Sequence, residues 1–168
     1  VWVEYLQGKN SEFPMQSIAG DLEVIRRQVH RVRIDSNTAD TRASSDMPVV
    51  TAVGSLVQLM LGANDPGSGG NVLHAQVRYF DVEKRRPGLP RGVGALVEEI
   101  RPDGITLILV NTSPVHDRRL IVQTGAYAEH EAVRVHVDGH RVAIRDSQFE
   151  VLLRAGAGTR LSIQMRRY

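Results

Sequence analysis

The chain contains no cysteine, which removes disulfides, thiolate catalysis and cysteine-ligated metal from consideration. That absence suits reducing and oxidising compartments equally, so localisation stays open. Lysine is nearly missing as well: of the 21 Lys and Arg residues, only Lys9 and Lys84 are lysines. The arginines do not cluster but alternate with acids, as in Glu98-Glu99-Ile100-Arg101, Asp117-Arg118-Arg119 and Arg145-Asp146. A nucleic-acid footprint needs basic residues gathered on one face without neutralising neighbours, so nucleic acid is not an expected partner. Aromatic residues make up only 5%, few for a saccharide-binding surface, which presents exposed rings for stacking. No apolar run approaches the roughly 18–20 residues that span a bilayer, and no membrane partner is expected. The longest run, Ile105 to Val110, has the length of a buried strand.

What remains is a globular mixture, 42% hydrophobic and 24% charged over 168 residues, enough for one domain with a core of its own. The chain opens at Val1 without an initiator methionine. Its first residues, Val1-Trp2-Val3-Glu4-Tyr5-Leu6, carry apolar groups that need a surface to pack against. A fragment of a larger protein is therefore expected, with an upstream domain of the same polypeptide as its partner.

The first third reads as helical. Within residues 16–33, Ile18, Leu22, Ile25, Val29 and Val32 recur at three- and four-residue spacing and predict an amphipathic helix. It starts at Gln16 or, because Gly20 interrupts it, at Asp21. The polar stretch from Ser36 to Asp46 predicts a loop. A second helix is expected from Pro48 to Leu61, capped by Asp46 and stopped by Gly62. It is apolar nearly all round, so it is expected to be buried or to join copies into a homo-oligomer. Residues 1–61 thus form a helical lead-in and 62–71 a glycine-rich linker.

From residue 72 the period changes to two. Strands are predicted at Val72–Phe80, Gly94–Arg101, Ile105–Asn111, Arg119–Gln123, Ala132–Asp138, Arg141–Arg145, Phe149–Arg154 and Leu161–Arg166. The proline- and glycine-rich Asp81–Gly92 reads as a long loop. Pro102-Asp103-Gly104 and Asp138-Gly139 mark tight turns, and Ile105–Asn111, the most apolar segment, belongs in the centre. Val133, Val135 and Val137 are expected on one face, with Val142 and Ile144 returning inward beside them. The C-terminal half, from Gly94 on, is read as an antiparallel meander of about five to seven strands, and residues 72–168 together as an antiparallel β-sandwich. The fold class is α+β: a short N-terminal helical lead-in followed by an antiparallel β-sandwich.

Chemical motifs are sparse. Gly62–Asn71 lacks the lysine and the following helix of a phosphate loop. Ser113, His116 and Asp117 are neighbours in sequence, whereas a triad needs convergence in space. Nothing among Glu98, Glu99, Asp103 and Glu129 nominates a carboxylate pair for glycoside cleavage. The best polar cluster is Tyr127, His130, His136 and Asp138, with His140 across the turn. His136 and Asp138 are expected on one strand face, but further ligands for a metal are missing. No catalytic residue, metal or cofactor is expected. Those four residues mark a ligand- or metal-binding site only on the alternative reading, in which this chain is an independent binding domain or enzyme.

The segment Thr106–Gln123, in which a strand ends in Val110-Asn111 before a polar turn and a second strand, resembles one seen in a known class of modules. These are the C-terminal β-sandwich accessory modules behind the catalytic domains of glycoside hydrolases and related large bacterial proteins. The closing Phe149–Met165, two apolar-alternating strands about the small-residue turn Ala155-Gly-Ala-Gly-Thr159, resembles their final strand pair. The resemblance runs from Thr106 onward and contains no catalytic motif. It implies a non-catalytic accessory module of a larger, carbohydrate-active protein, with carbohydrate as its ligand class. The low aromatic content departs from a carbohydrate-binding module and shifts weight to a structural role.

Overall fold

A computed structural model describes residues 1–36, 51–63 and 75–167. The expected loop from residue 37, the cap at Asp46, Pro48, linker residues 64–71 and strand residues 72–74 lie outside the described residues. Three helices come first: α1 (Trp2–Leu6), α2 (Phe13–Ile34) and α3 (Gly54–Leu61). Nine strands follow: β1 (Val77–Asp81), β2 (Arg86–Pro87), β3 (Val93–Arg101), β4 (Gly104–Asn111), β5 (Arg118–Thr124), β6 (His130–Val137), β7 (His140–Asp146), β8 (Gln148–Leu153) and β9 (Gly158–Arg167). The α+β class holds.

Helix α2 begins earlier than its apolar spacing suggests, because Pro14 occupies the first turn, where its missing N–H is not needed. Gly20 is carried inside the helix. The five-residue α1 is too short to stand alone and is held by a trio of rings. Trp2, Tyr5 and Phe13 lie 5.6–5.7 Å apart between centroids. The Tyr5 hydroxyl donates to the Val97 carbonyl at 3.2 Å. Burial, with the Glu98 charge adding to it, pushes that phenol up to about 12.

Helix α3 starts at Gly54 rather than Pro48; residues 51–53 are not helical. The β-branched Thr51 and Val53 disfavour the helical rotamers. Gly62, in the left-handed conformation, ends the helix as expected. Leu59 is buried, and Met60 and Leu61 pack on the core. The Met60 carbonyl accepts the buried Tyr79 hydroxyl at 2.6 Å. Much of the apolar surface assigned to homo-oligomerisation is therefore used within the chain. Helix α3 thus packs on the core that the strands form.

The strands form two antiparallel sheets, one of four in the order β2-β1-β5-β8 and one of five in the order β3-β4-β9-β6-β7. Their buried residues make a single cluster, with Tyr79, Leu120, Val122 and Leu153 from the first sheet and Leu107, Ile163 and others from the second. The meander expectation requires correction. β8 pairs with β5, while β9 inserts between β4 and β6, so the small-residue turn after Leu153 carries the chain from one sheet to the other. Strands β3–β4 and β6–β7 are true hairpins. The second closes through Asp138 and Gly139 at φ 48° and 78°, the signature of a type I′ turn.

A second correction concerns β6. A bulge between Ala132 and Arg134 leaves Val133 out of phase, so Ala132 and Val135 are the buried residues there, opposite Met165 and Ile163. The bulge inserts one residue and shifts every side chain before it to the other phase.

Strands β4 and β9 approach so closely at Gly104 that a Cβ there would collide with the Ile163 carbonyl oxygen. Gly104→Ala should lower unfolding stability by about 1–3 kcal/mol in a urea titration. Gly94→Ala, whose Cβ meets nothing within 4 Å, should be neutral or stabilising by up to about 1 kcal/mol.

Candidate functional site

The four nominated residues fall at the two ends of β6. Tyr127 and His130 lie at its start, His136 and Asp138 at its finish, and at roughly 3.3 Å per residue the ends are about 20 Å apart. They form two separate regions.

The first region is the Gly125–Glu129 loop, organised around one carboxylate. Glu129 accepts the backbone N–H of Ala126 at 3.2 Å through Oε1 and of Tyr127 at 2.7 Å through Oε2. Gly125, at φ 85°, has no room for a side chain, because a Cβ would fall on that carboxylate. Arg78 donates to the Ala126 carbonyl at 3.1 Å, fixing the loop to β1. Partial burial opposes ionisation of Glu129. The backbone donors of Tyr127, Glu129 and Ala126, with His130 adding its charge, outweigh that and hold the carboxyl below its ordinary 4.5. His130 is 9% exposed; its Nε2 lies 3.8 Å from Glu129, and its buried Nδ1 has no partner among the described residues. The Tyr127 ring stands 73% exposed beside it. Chemically this is a rigid loop presenting one ring, suited to stacking on an apolar ligand face.

In the second region, His136 sits between Arg141 of β7 and Ser162 of β9 on the side of β6 away from Val135 and Val137. Asp138 occupies the turn, at the rim of a cleft of about 350 Å³. Val142 and Ile144 line one wall of this cleft, Phe149 and Val151 the other. Alternation alone places these four side chains in a core. They are reached from outside because β7 and β8 are edge strands of different sheets, which only the pairing reveals.

The residues weighed for catalysis have local structural roles. The Ser113 hydroxyl accepts the His116 backbone N–H at 3.1 Å. Asp117 is bonded to Arg154 at 2.7 Å and to the Ala155 N–H at 2.9 Å, and these bonds, Arg154 first, hold its carboxyl below the usual range. Asn111, 1% exposed, donates to the carbonyls of His116, Leu153 and Arg154 and accepts the Ser113 N–H. Glu98 pairs with Arg160, Glu99 with Arg101, Glu131 with Arg166 and Glu150 with Arg119. Among the described residues, no three His, Asp or Glu side chains converge as metal ligands.

Glu129 ionises more readily folded than unfolded, so its contribution to stability is complete above the ordinary 4.5 and is lost as pH falls through the lowered value. Its side chain is 38% exposed, and screening keeps that contribution below about 1 kcal/mol. Glu129→Gln should therefore lower the thermal midpoint slightly at about pH 7, and the gap should narrow as pH falls below the ordinary 4.5. A gap that persists in acid would assign the loss to packing instead.

Among the described residues no helix is long and apolar enough to cross a membrane. Comparison with protein-family models, curated proteins and solved structures finds no match for this chain.

Proposed function

We propose that this chain is a non-catalytic structural module whose two sheets pack face to face as a β-sandwich. Its helical layer braces a neighbouring domain of the same, larger polypeptide. In the setting that the resemblance implies, that polypeptide is carbohydrate-active. One observation carries the reading. Of thirteen exposed large apolar side chains among the described residues, eight lie within residues 1–56. These helices are not loose. Tyr5 and Tyr79 tie α1 and α3 to the strands by hydrogen bonds, and Met60 and Leu61 pack on the core that the strands form. A firmly held layer that leaves Val3 62% and Leu56 50% exposed has the character of an interaction surface. Contact with carbohydrate is favoured by a single feature, the exposed Tyr127 ring.

The test uses the native gene product. Its intact mass should exceed 18.6 kDa. A Val3→Asp/Leu56→Asp pair should raise the rate of limited proteolysis at the junction about tenfold, the effect of roughly 1.4 kcal/mol of lost docking energy. A native product of 18.6 kDa, or a pair without effect on the junction, would overturn the reading.

A further inference from the structure

The cleft of about 350 Å³ has Val142 and Ile144 of β7 on one wall and Phe149 and Val151 of β8 on the other. In a closed sandwich all four would be core. Here β7 and β8 end different sheets, so no further strand covers the space between them. Ser147 alone separates the two strands, and the walls meet at that corner. The corner is held in place: the Ser147 carbonyl accepts the Thr124 N–H at 2.9 Å, and the Asp146 carboxylate accepts the Gln148 N–H at 3.2 Å. Val135 and Leu161, both buried, also line the cleft. The cleft is therefore formed by strand pairing, before any guest arrives.

One polar side chain interrupts the apolar lining. Thr159 lines the cleft and shares the phase of Leu161, Ile163 and Met165, the core-facing side of β9. Its Oγ1 is sealed from solvent and has no hydrogen-bond partner among the described residues. A turn about χ1 to another staggered well exchanges hydroxyl and methyl and offers the hydroxyl to the cleft. Three charged residues border the space. Asp138 sits in its turn, while Glu150 and Arg154 are tied to Arg119 and Asp117. The chemistry on offer inside is thus apolar contact and one hydroxyl.

The dimensions select the kind of guest. From Phe149 to Leu153 the wall runs about 13 Å, and packed sheets stand about 10 Å apart. An opening on the order of 130 Å² falls far short of the roughly 800 Å² that each partner gives to a specific protein interface. The volume, in contrast, lies within the range of about 300–1,000 Å³ that small-molecule pockets occupy.

We propose that the cleft between β7 and β8 binds a small uncharged molecule with an apolar body and one hydroxyl group, which pairs with Thr159. The site lies among the strands, away from the helical layer, and neither reading needs the other.

Benzyl alcohol is the probe, with toluene, benzoate and benzylammonium as analogues of similar size. Titrated into the full chain, it should shift the amide resonances of Val142, Ile144, Phe149 and Val151 along one saturating curve. The dissociation constant should be about 1 mM or tighter. The two charged analogues should bind at least about tenfold more weakly, because nothing inside the cleft pairs with a charge. Thr159→Val should weaken benzyl alcohol about fivefold, the effect of one neutral hydrogen bond, and leave toluene unchanged. Val142→Trp, at an exposed edge position, should fill the cleft and abolish binding of both. Shifts that do not saturate, or that fall on the helices instead, would overturn the proposal. So would a charged analogue that binds as well as the alcohol, or a Thr159→Val chain with unchanged affinity for it. The Thr159→Val arm decides the matter even if the tryptophan variant does not fold.

Discussion

The Asn111 side-chain amide stands at the place where the chain leaves one sheet at the end of β4 and, much later, returns between β8 and β9. Its Nδ2 reaches three carbonyl oxygens, at 2.8 Å on His116, 3.3 Å on Leu153 and 3.1 Å on Arg154. Its Oδ1 takes the Ser113 N–H, and its own backbone N–H goes to Ala157. Two crossings of the chain between the sheets thus converge on one buried polar group. The bond to Leu153 is buried, and an unmet polar group there costs about 1–3 kcal/mol. His116 and Arg154 lie outside the strands, so no sheet ladder takes up their carbonyls in place of this amide. The shared core depends on the two sheets being held in this relation.

Around this point the charges are used locally. Arg119 to Glu150 and Arg160 to Glu98 each connect positions distant in sequence at 2.7 Å, and Arg154 closes on Asp117 beside the Asn111 cluster. Each such exposed pair contributes little to stability, typically under about 1 kcal/mol. Their effect is to leave the strand surfaces nearly neutral patch by patch. The apolar exposure is concentrated instead on the helices, so the two halves of the chain present different chemistry to their surroundings.

Much of this could be read from residue order, and the failures have a common cause. Alternation correctly gave the buried faces of β8 and β9, through Leu153, Leu161, Ile163 and Met165, and Asp138-Gly139 correctly gave a hairpin. Alternation states which face of a strand is apolar but not which strand lies beside it. A hairpin and a crossing between sheets both satisfy Phe149–Met165, and only the pairing with β5 and with β4 and β6 decides between them. The bulge at Val133 was invisible because a β-branched residue is at home on either face. Helix α1 gave no periodic signal in five residues; it exists because three rings meet. The site residues Tyr127, His130, His136 and Asp138 are near in sequence, yet an extended strand separates what a helix or turn would have gathered. The cleft between β7 and β8 could not be read at all, since it is made by the absence of neighbours at two sheet edges.

The position of β9 has a consequence for how the chain comes into being. It is the last strand in order among the described residues, yet it fills the middle of the five-stranded sheet, between β4 and β6. While a ribosome still holds Gly158–Arg167, the β3–β4 and β6–β7 hairpins exist only as two separate ribbons, each with an open edge and an uncovered apolar face. Nothing made earlier can join them. Assembly is therefore not progressive along the chain but waits for a single late insertion that zips both edges at once, across a large sequence separation. A nascent chain arrested before β9 is not a smaller version of the fold; the β4 and β6 edges stay open and its five-stranded sheet is split in two.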